Sequence, residues 1–214
     1  MSEGNGGRAS EKVGFGQRMR AAFKGLRGRA ERSSPSPDAA GEAGGATAQD
    51  LERQAAQLSE RGEHAEALAV CRDGLKRYPG HVMLARIGAS AAAKQHAWPL
   101  AAEWSAIVRV GRPTDKAGYM IGIRAARVAM QQGGSKDLLI ALTREAETRF
   151  PNELWAGRAS AQLALDLRDW TTALKIAERL QVAFPGQHDG YEMAILALFQ
   201  MRRIDESETR LAEA

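Results

Sequence analysis

The chain has 214 residues, 44% of them hydrophobic and only 6% aromatic, and carries 30 Lys and Arg against 26 Asp and Glu, a net of +4. That length does not suggest two ordinary domains, and a lone cysteine, Cys71, excludes an internal disulfide framework. No apolar run reaches the roughly 20 residues that cross a bilayer, and no apolar signal core opens the N-terminus, so a cytoplasmic protein is expected.

Residues 1–47 read as an N-terminal arm and linker. Met1 to Ser10 is Gly-rich and polar, and Ser33 to Gln49 contains Ser-Pro-Ser-Pro among Gly and Ala residues, a linker composition. Between them, 12–32 holds seven Lys and Arg against one acid, a net of +6. Phe15, Met19, Ala22, Phe23, Leu26 and Ala30 recur at three- and four-residue steps. On a helical wheel they form one apolar stripe flanked by Arg18, Arg20, Lys24 and Arg27. Such a helix suits an anionic membrane surface, a partner's groove or a nucleic-acid backbone, the last being the least favoured. Gly14, Gly16, Gly25 and Gly28 each lower helix propensity by about 1 kcal/mol relative to Ala, so a basic tail without fixed structure stays open. Membrane docking would place the protein peripherally at the inner membrane.

From residue 48 onward, independent residue types share one period. Pro79, Pro113, Pro151 and Pro185 are separated by 34, 38 and 34 residues. Ala67 and Ala101 are 34 apart, Ala173 lies 72 beyond Ala101, and Ser207 lies 34 further on. Gly118-Tyr119 and Gly190-Tyr191, like Trp98 and Trp170, are 72 apart. One insertion of four residues reconciles these spacings, and Gln131-Gln132-Gly133-Gly134-Ser135 is the loop expected to hold it. Each proline follows a residue that it pushes out of helical geometry, so each pair ends a helix. Units of two antiparallel helices follow, at about 48–81, 82–115, 116–153 and 154–187, with a partial fifth at 188–214. Ala55, Ala89 and Ala161, with Ala67, Ala101 and Ala173, fall where paired helices cross closely. Leu68, Cys71 and Leu75, then Leu100, Trp104 and Ile107, mark the apolar faces of second helices. Cys71 reads as a small buried hydrophobe.

The period, with Glu66-Ala67-Leu68 and Tyr78-Pro79-Gly80, resembles the tetratricopeptide (TPR) repeat family over about 48–214. The third unit matches least well, having Leu139 where a small residue is expected. The resemblance implies an all-α fold, a right-handed α-solenoid of antiparallel helix pairs, whose first helices line a concave surface. Carried over position by position, it places Arg53, Arg86, Lys94, Arg124, Arg127, Arg158, Gln162 and Glu192 toward that groove, with Trp155, Met120 and Leu165 as apolar patches. The groove would suit an acidic segment or a terminal carboxylate of a protein or peptide partner. The family's carboxylate clamp, a Lys and an Asn in one unit with an Asn in the next, is not matched, since Glu52, Ala56 and Ile87 stand at those positions.

Nothing in the sequence has the spacing of a catalytic, metal or cofactor site, so a non-catalytic scaffold without cofactors is expected. His64-Ala65-Glu66 lacks the paired cysteines of a zinc deaminase. His188, Asp189 and Glu192 read as a solvated helix start. Gly14-Phe15-Gly16 lacks a further glycine and a preceding strand. At the other end, a short helix at 205–214 is expected to cover Ile195, Leu196, Leu198 and Phe199 only in part, which leaves three readings open: a fragment of a longer protein, a homodimer or subunit contact there, or a short helix that suffices. The alternative reading is a regulatory front end, membrane-tethered through 12–32, of a larger envelope enzyme such as a glycosyl- or sulfo-transferase.

Overall fold

The computed structural model describes residues 46–213, and the arm residues 12–32 lie outside them. The described residues form ten helices and no strand. They fall into two compact units that divide between Lys136 and Asp137. The first unit contains α1 (Ala48–Glu60), α2 (His64–Arg77), α3 (Val82–Lys94), α4 (Trp98–Gly111) and α5 (Lys116–Gln131). The second contains α6 (Asp137–Arg149), α7 (Leu154–Asp166), α8 (Trp170–Ala183), α9 (Asp189–Gln200) and α10 (Ile204–Glu213). Within each unit, consecutive helices pack as hairpins, and first helices of successive hairpins also touch: α1 on α3, α3 on α5, and α7 on α9.

The helix ends repeat as regularly as the sequence. The second helices α2, α4, α6 and α8 each stop at the residue before a proline: the N–H groups of Tyr78, Arg112, Phe150 and Phe184 donate to the carbonyls of Gly74, Val108, Ala146 and Leu180. A tight turn comes next, in which the N–H groups of His81, Asp115, Glu153 and Gln187 donate back to the carbonyls of Tyr78, Arg112, Phe150 and Phe184. Pro79, Pro113, Pro151 and Pro185 therefore sit outside the helices, in the connecting turns.

First helices end differently. The next residue but one lies in the left-handed region: Gly62 (φ 81), His96 (φ 55), Gly133 (φ 87), Arg168 (φ 62) and Arg202 (φ 58). The following N–H then reaches back five residues, from Glu63 to Leu58, Ala97 to Ala92, Gly134 to Ala129, Asp169 to Ala164 and Arg203 to Leu198. This is the Schellman geometry that satisfies terminal carbonyls. The four-residue insertion expected in the loop after Gln131 is only partly a loop. Helix α5 has 16 residues where α1, α3 and α7 have 13, and it runs through Gln131. Much of the extra length is absorbed as helix, where each added residue gains a backbone hydrogen bond.

Small residues allow the close crossings. Ala55, Ala89, Ala161, Ala67, Ala101 and Ala173 are all buried, and Leu139 is buried at the position where a small residue was expected. Gly88 on α3 faces Trp104 on α4, and a Cβ there would lie 2.6 Å from the indole ring. Trp104 fills the space so left, beside Leu51, Cys71, Leu84 and Val108. The central cluster of the second unit is mostly alanine, with Ala161, Ala164, Ala173, Ala177, Ala194 and Ala197 packed with Leu165 and Met193, while Leu139, Leu142, Leu180 and Leu198 are also buried in that unit.

Candidate functional site

The predicted binding surface lies on the first helices. In the first unit, Arg53 is exposed on α1 and Lys94 is exposed in the last turn of α3. Arg86, also on α3, donates its Nε–H to the Asp115 carboxylate at 2.8 Å. Asp115 is committed twice, because it also caps α5 by accepting the N–H of Ala117 at 2.9 Å. The carboxylate is thus fixed by a backbone amide before it meets the guanidinium. Arg86, Arg112, Asp115, Lys116 and Met120 line an open depression beside this pair. Arg112 and Lys116 carry no signal of their own in the repeat pattern, although they flank Pro113-Thr114-Asp115 and the proline turn brings both to its rim.

Arg124, on α5, lies over the ring of Trp98 at 5.2 Å, a cation–π contact. Next to it, Trp98, Pro99, Ala125, Ala129 and the Gly133-Gly134 turn enclose an apolar slot. Arg127 is half-buried on the same helix. A further arginine, Arg109 on α4, is buried. Its Nη1 donates to Ser105 Oγ and to the Gly118 carbonyl, each at 3.1 Å. Gly118 and Gly122 leave room for it: a Cβ on Gly122 would lie 2.3 Å from Nη1. Here glycine spacing on α5 accommodates a charged side chain instead of a ligand.

The second unit repeats the ion pair of the first. Arg158, 72 residues after Arg86, pairs with Asp189 at the start of α9. Gln162 donates to Asp166 Oδ1 at 3.0 Å along α7, and Glu192 is exposed on α9. Trp155 packs against Phe150 with ring centroids 5.2 Å apart, and its buried indole N–H has no hydrogen-bond partner among the described residues. Two of the predicted groove arginines therefore already face a carboxylate at or just before the start of the next first helix. In each pair the arginine is about half exposed while the carboxylate is mostly shielded, so the carboxylate holds the guanidinium in place on the first-helix surface.

The two units differ in charge. Residues 46–136 carry 13 Lys and Arg against 8 Asp and Glu, a net of +5, whereas 137–213 carry 9 against 13, a net of −4. Among the described residues no three His, Cys, Asp or Glu side chains gather as a metal site. Cys71 is fully buried, and desolvation pushes its thiol up to about 12, so it is a neutral hydrophobe at physiological pH. No helix of the described residues is long and apolar enough to cross a membrane.

These hairpins, their proline turns and the packing of first helix on first helix define a TPR-like α-solenoid fold. Solved structures agree. The MamA fragment 41-end from Desulfovibrio magneticus RS-1 has a TM-score of 0.69 at 11% identity, over 80% of this chain and 94% of that one. A second MamA crystal structure has a TM-score of 0.68 at 16% identity, over 78% and 88%. TTC0263, a thermophilic TPR protein of Thermus thermophilus, has a TM-score of 0.57 at 18% identity, over 78% and 90%. No family model and no curated protein matches the chain. Likeness at these identities establishes the fold.

Proposed function

We propose that the chain is a non-catalytic, cytoplasmic scaffold that receives a peptide or protein segment on its first-helix surface. Folds built from stacked hairpins present extended binding surfaces of this kind. The observation that carries the reading is the open depression of the first unit, where Arg86, Arg112 and Lys116 stand around one carboxylate with half-exposed Met120 at its side. Cations beside an apolar side chain suit an acidic segment that also carries a hydrophobic residue. In the second unit, Arg158, Gln162 and Trp155 stand on the equivalent first helix, α7, and would offer a contact of the same kind.

Photo-cross-linking in the native host tests this. A benzoylphenylalanine at Met120 is expected to capture one partner segment rich in Asp and Glu. The same group at Val182, exposed near the end of second helix α8, should capture none. Replacing Arg86, Arg112 and Lys116 with Glu should abolish the Met120 product. Equal capture at both positions, or capture indifferent to the charge reversal, would sink the assignment.

A further inference from the structure

We propose that the last hairpin, α9–α10, is a docking face for residues 12–32 of a second copy of this chain. Two independent features of the hairpin point to a partner that is both apolar and cationic. The first is uncovered apolar surface. Phe199 is 59% exposed and Leu211 66% exposed, with Leu196 and Ile204 close to half exposed. They fall at helical spacing, Leu196 and Phe199 on α9, Ile204 and Leu211 on α10, and so form stripes instead of scattered side chains.

The second feature is the charge around those stripes. Residues 189–213 carry six acids against three Arg, a net of −3. The Arg residues are largely occupied: Arg203 by Glu206 along the same helix, and Arg210 by Glu178 of α8 at 3.7 Å. Exposed Glu192, Asp205 and Glu208 have no salt bridge among the described residues. Glu192 stands one turn before Leu196, and Glu208 stands between Ile204 and Leu211. Apolar positions therefore alternate with unneutralised carboxylates.

Residues 12–32 are the complement in sequence, with Phe15, Met19, Phe23 and Leu26 interleaved with seven cations for a net of +6. Opposite potentials favour this encounter. They disfavour two copies meeting through their last hairpins, which would set −3 against −3. Because segment and face are different surfaces, the contact is heterologous and passes from copy to copy.

The test uses the full chain with benzoylphenylalanine at Leu196, irradiated at low salt. A cross-linked dimer is expected, with mass spectrometry locating the second attachment within 12–32. Changing Arg18, Arg20, Lys24 and Arg27 to Glu should lower its yield by about tenfold, as should 0.5 M salt. Adding Glu192→Lys and Glu208→Lys to that variant should restore the yield. These substitutions are at exposed positions or outside the helices described, and unchanged melting confirms that folding is intact. Attachment to α9–α10 of the other copy, a product of monomer mass, or a yield insensitive to the charge swap each overturns the proposal. So does the absence of any dimer, and arm-dependent sedimentation on phosphatidylserine vesicles would then make a lipid surface the segment's partner.

Discussion

The two units use one hairpin plan and fill it differently. In the first, buried Trp104, Tyr119 and Leu84 occupy the space between helices, and glycines such as Gly88 give way to the large side chains. In the second, the central cluster is mostly alanine, and the position 72 residues after Trp104 is Ile176, only partly buried. The first unit is basic and the second acidic. Repeat register thus fixes where helices start, stop and cross. It leaves open how much apolar area each crossing buries and what charge the surface presents.

The strongest way to break this comparison is to hollow out both cores at equivalent positions. Trp104→Ala should cost about 3–5 kcal/mol, as large-to-small changes at buried aromatics do, and Ile176→Ala less, about 2 kcal/mol. Urea denaturation of each variant checks this, and equal losses would mean that the two crossings bury similar area. Next comes the reverse change. Gly88→Ala places a methyl 2.6 Å from the Trp104 ring and 2.9 Å from Cys71 Cβ, neither of which can swing aside, and should cost about 1–3 kcal/mol. Gly157→Ala in the second unit meets the end of the Leu180 side chain at 2.5 Å, which can rotate, and should cost less.

Cys71 supplies a pH test of the first core. Its thiol stays protonated when folded up to about 12, against 9.0 when free. Between those values the unfolded chain loses a proton that the folded chain keeps, so this contribution to stability is intact below pH 9 and declines as pH rises toward 12. Native Cys71 should resist iodoacetamide at about pH 8, just below the ordinary thiol range, and react once urea unfolds the chain. Rapid native alkylation would contradict its burial. The smallest effect concerns the turns. His96→Gly and Arg168→Gly relieve side-chain residues held at positive φ and should each stabilise the protein by about 0.5–1 kcal/mol, visible as a raised melting temperature. Similar gains in the two units would show that the turns, unlike the cores, are equivalent.

Much of this organisation was legible in the sequence because it depends on local chemistry. A proline cannot continue a helix, so Pro79, Pro113, Pro151 and Pro185 marked the second-helix ends. Ala55, Ala89 and Ala161 marked the crossings because only small side chains fit there. The left-handed turns were half visible: Gly62 and Gly133 announce them, whereas His96, Arg168 and Arg202 adopt the same geometry without a residue type that signals it. The site was less legible. Arg86 was placed on the first-helix surface, but its pairing with Asp115 joins residues 29 apart and depends on how two hairpins stack. Buried Arg109 lies on a second helix where an apolar side chain would be expected, and Gly122 showed no sign of making room for it. The opposite charges of the two units emerged only once the division at Lys136 was known.

The way every hairpin is closed bears on how such a chain can change length. The hydrogen bonds that finish each first helix and each proline turn all link residues five or fewer positions apart, so no hairpin borrows its punctuation from a distant segment. A gene encoding such a chain can gain or lose a whole repeat of about 34 residues by duplication or deletion without rewiring the ends of its neighbours. Only the interlocking side chains at the new seam, such as Gly88 with Trp104, would then have to be refitted.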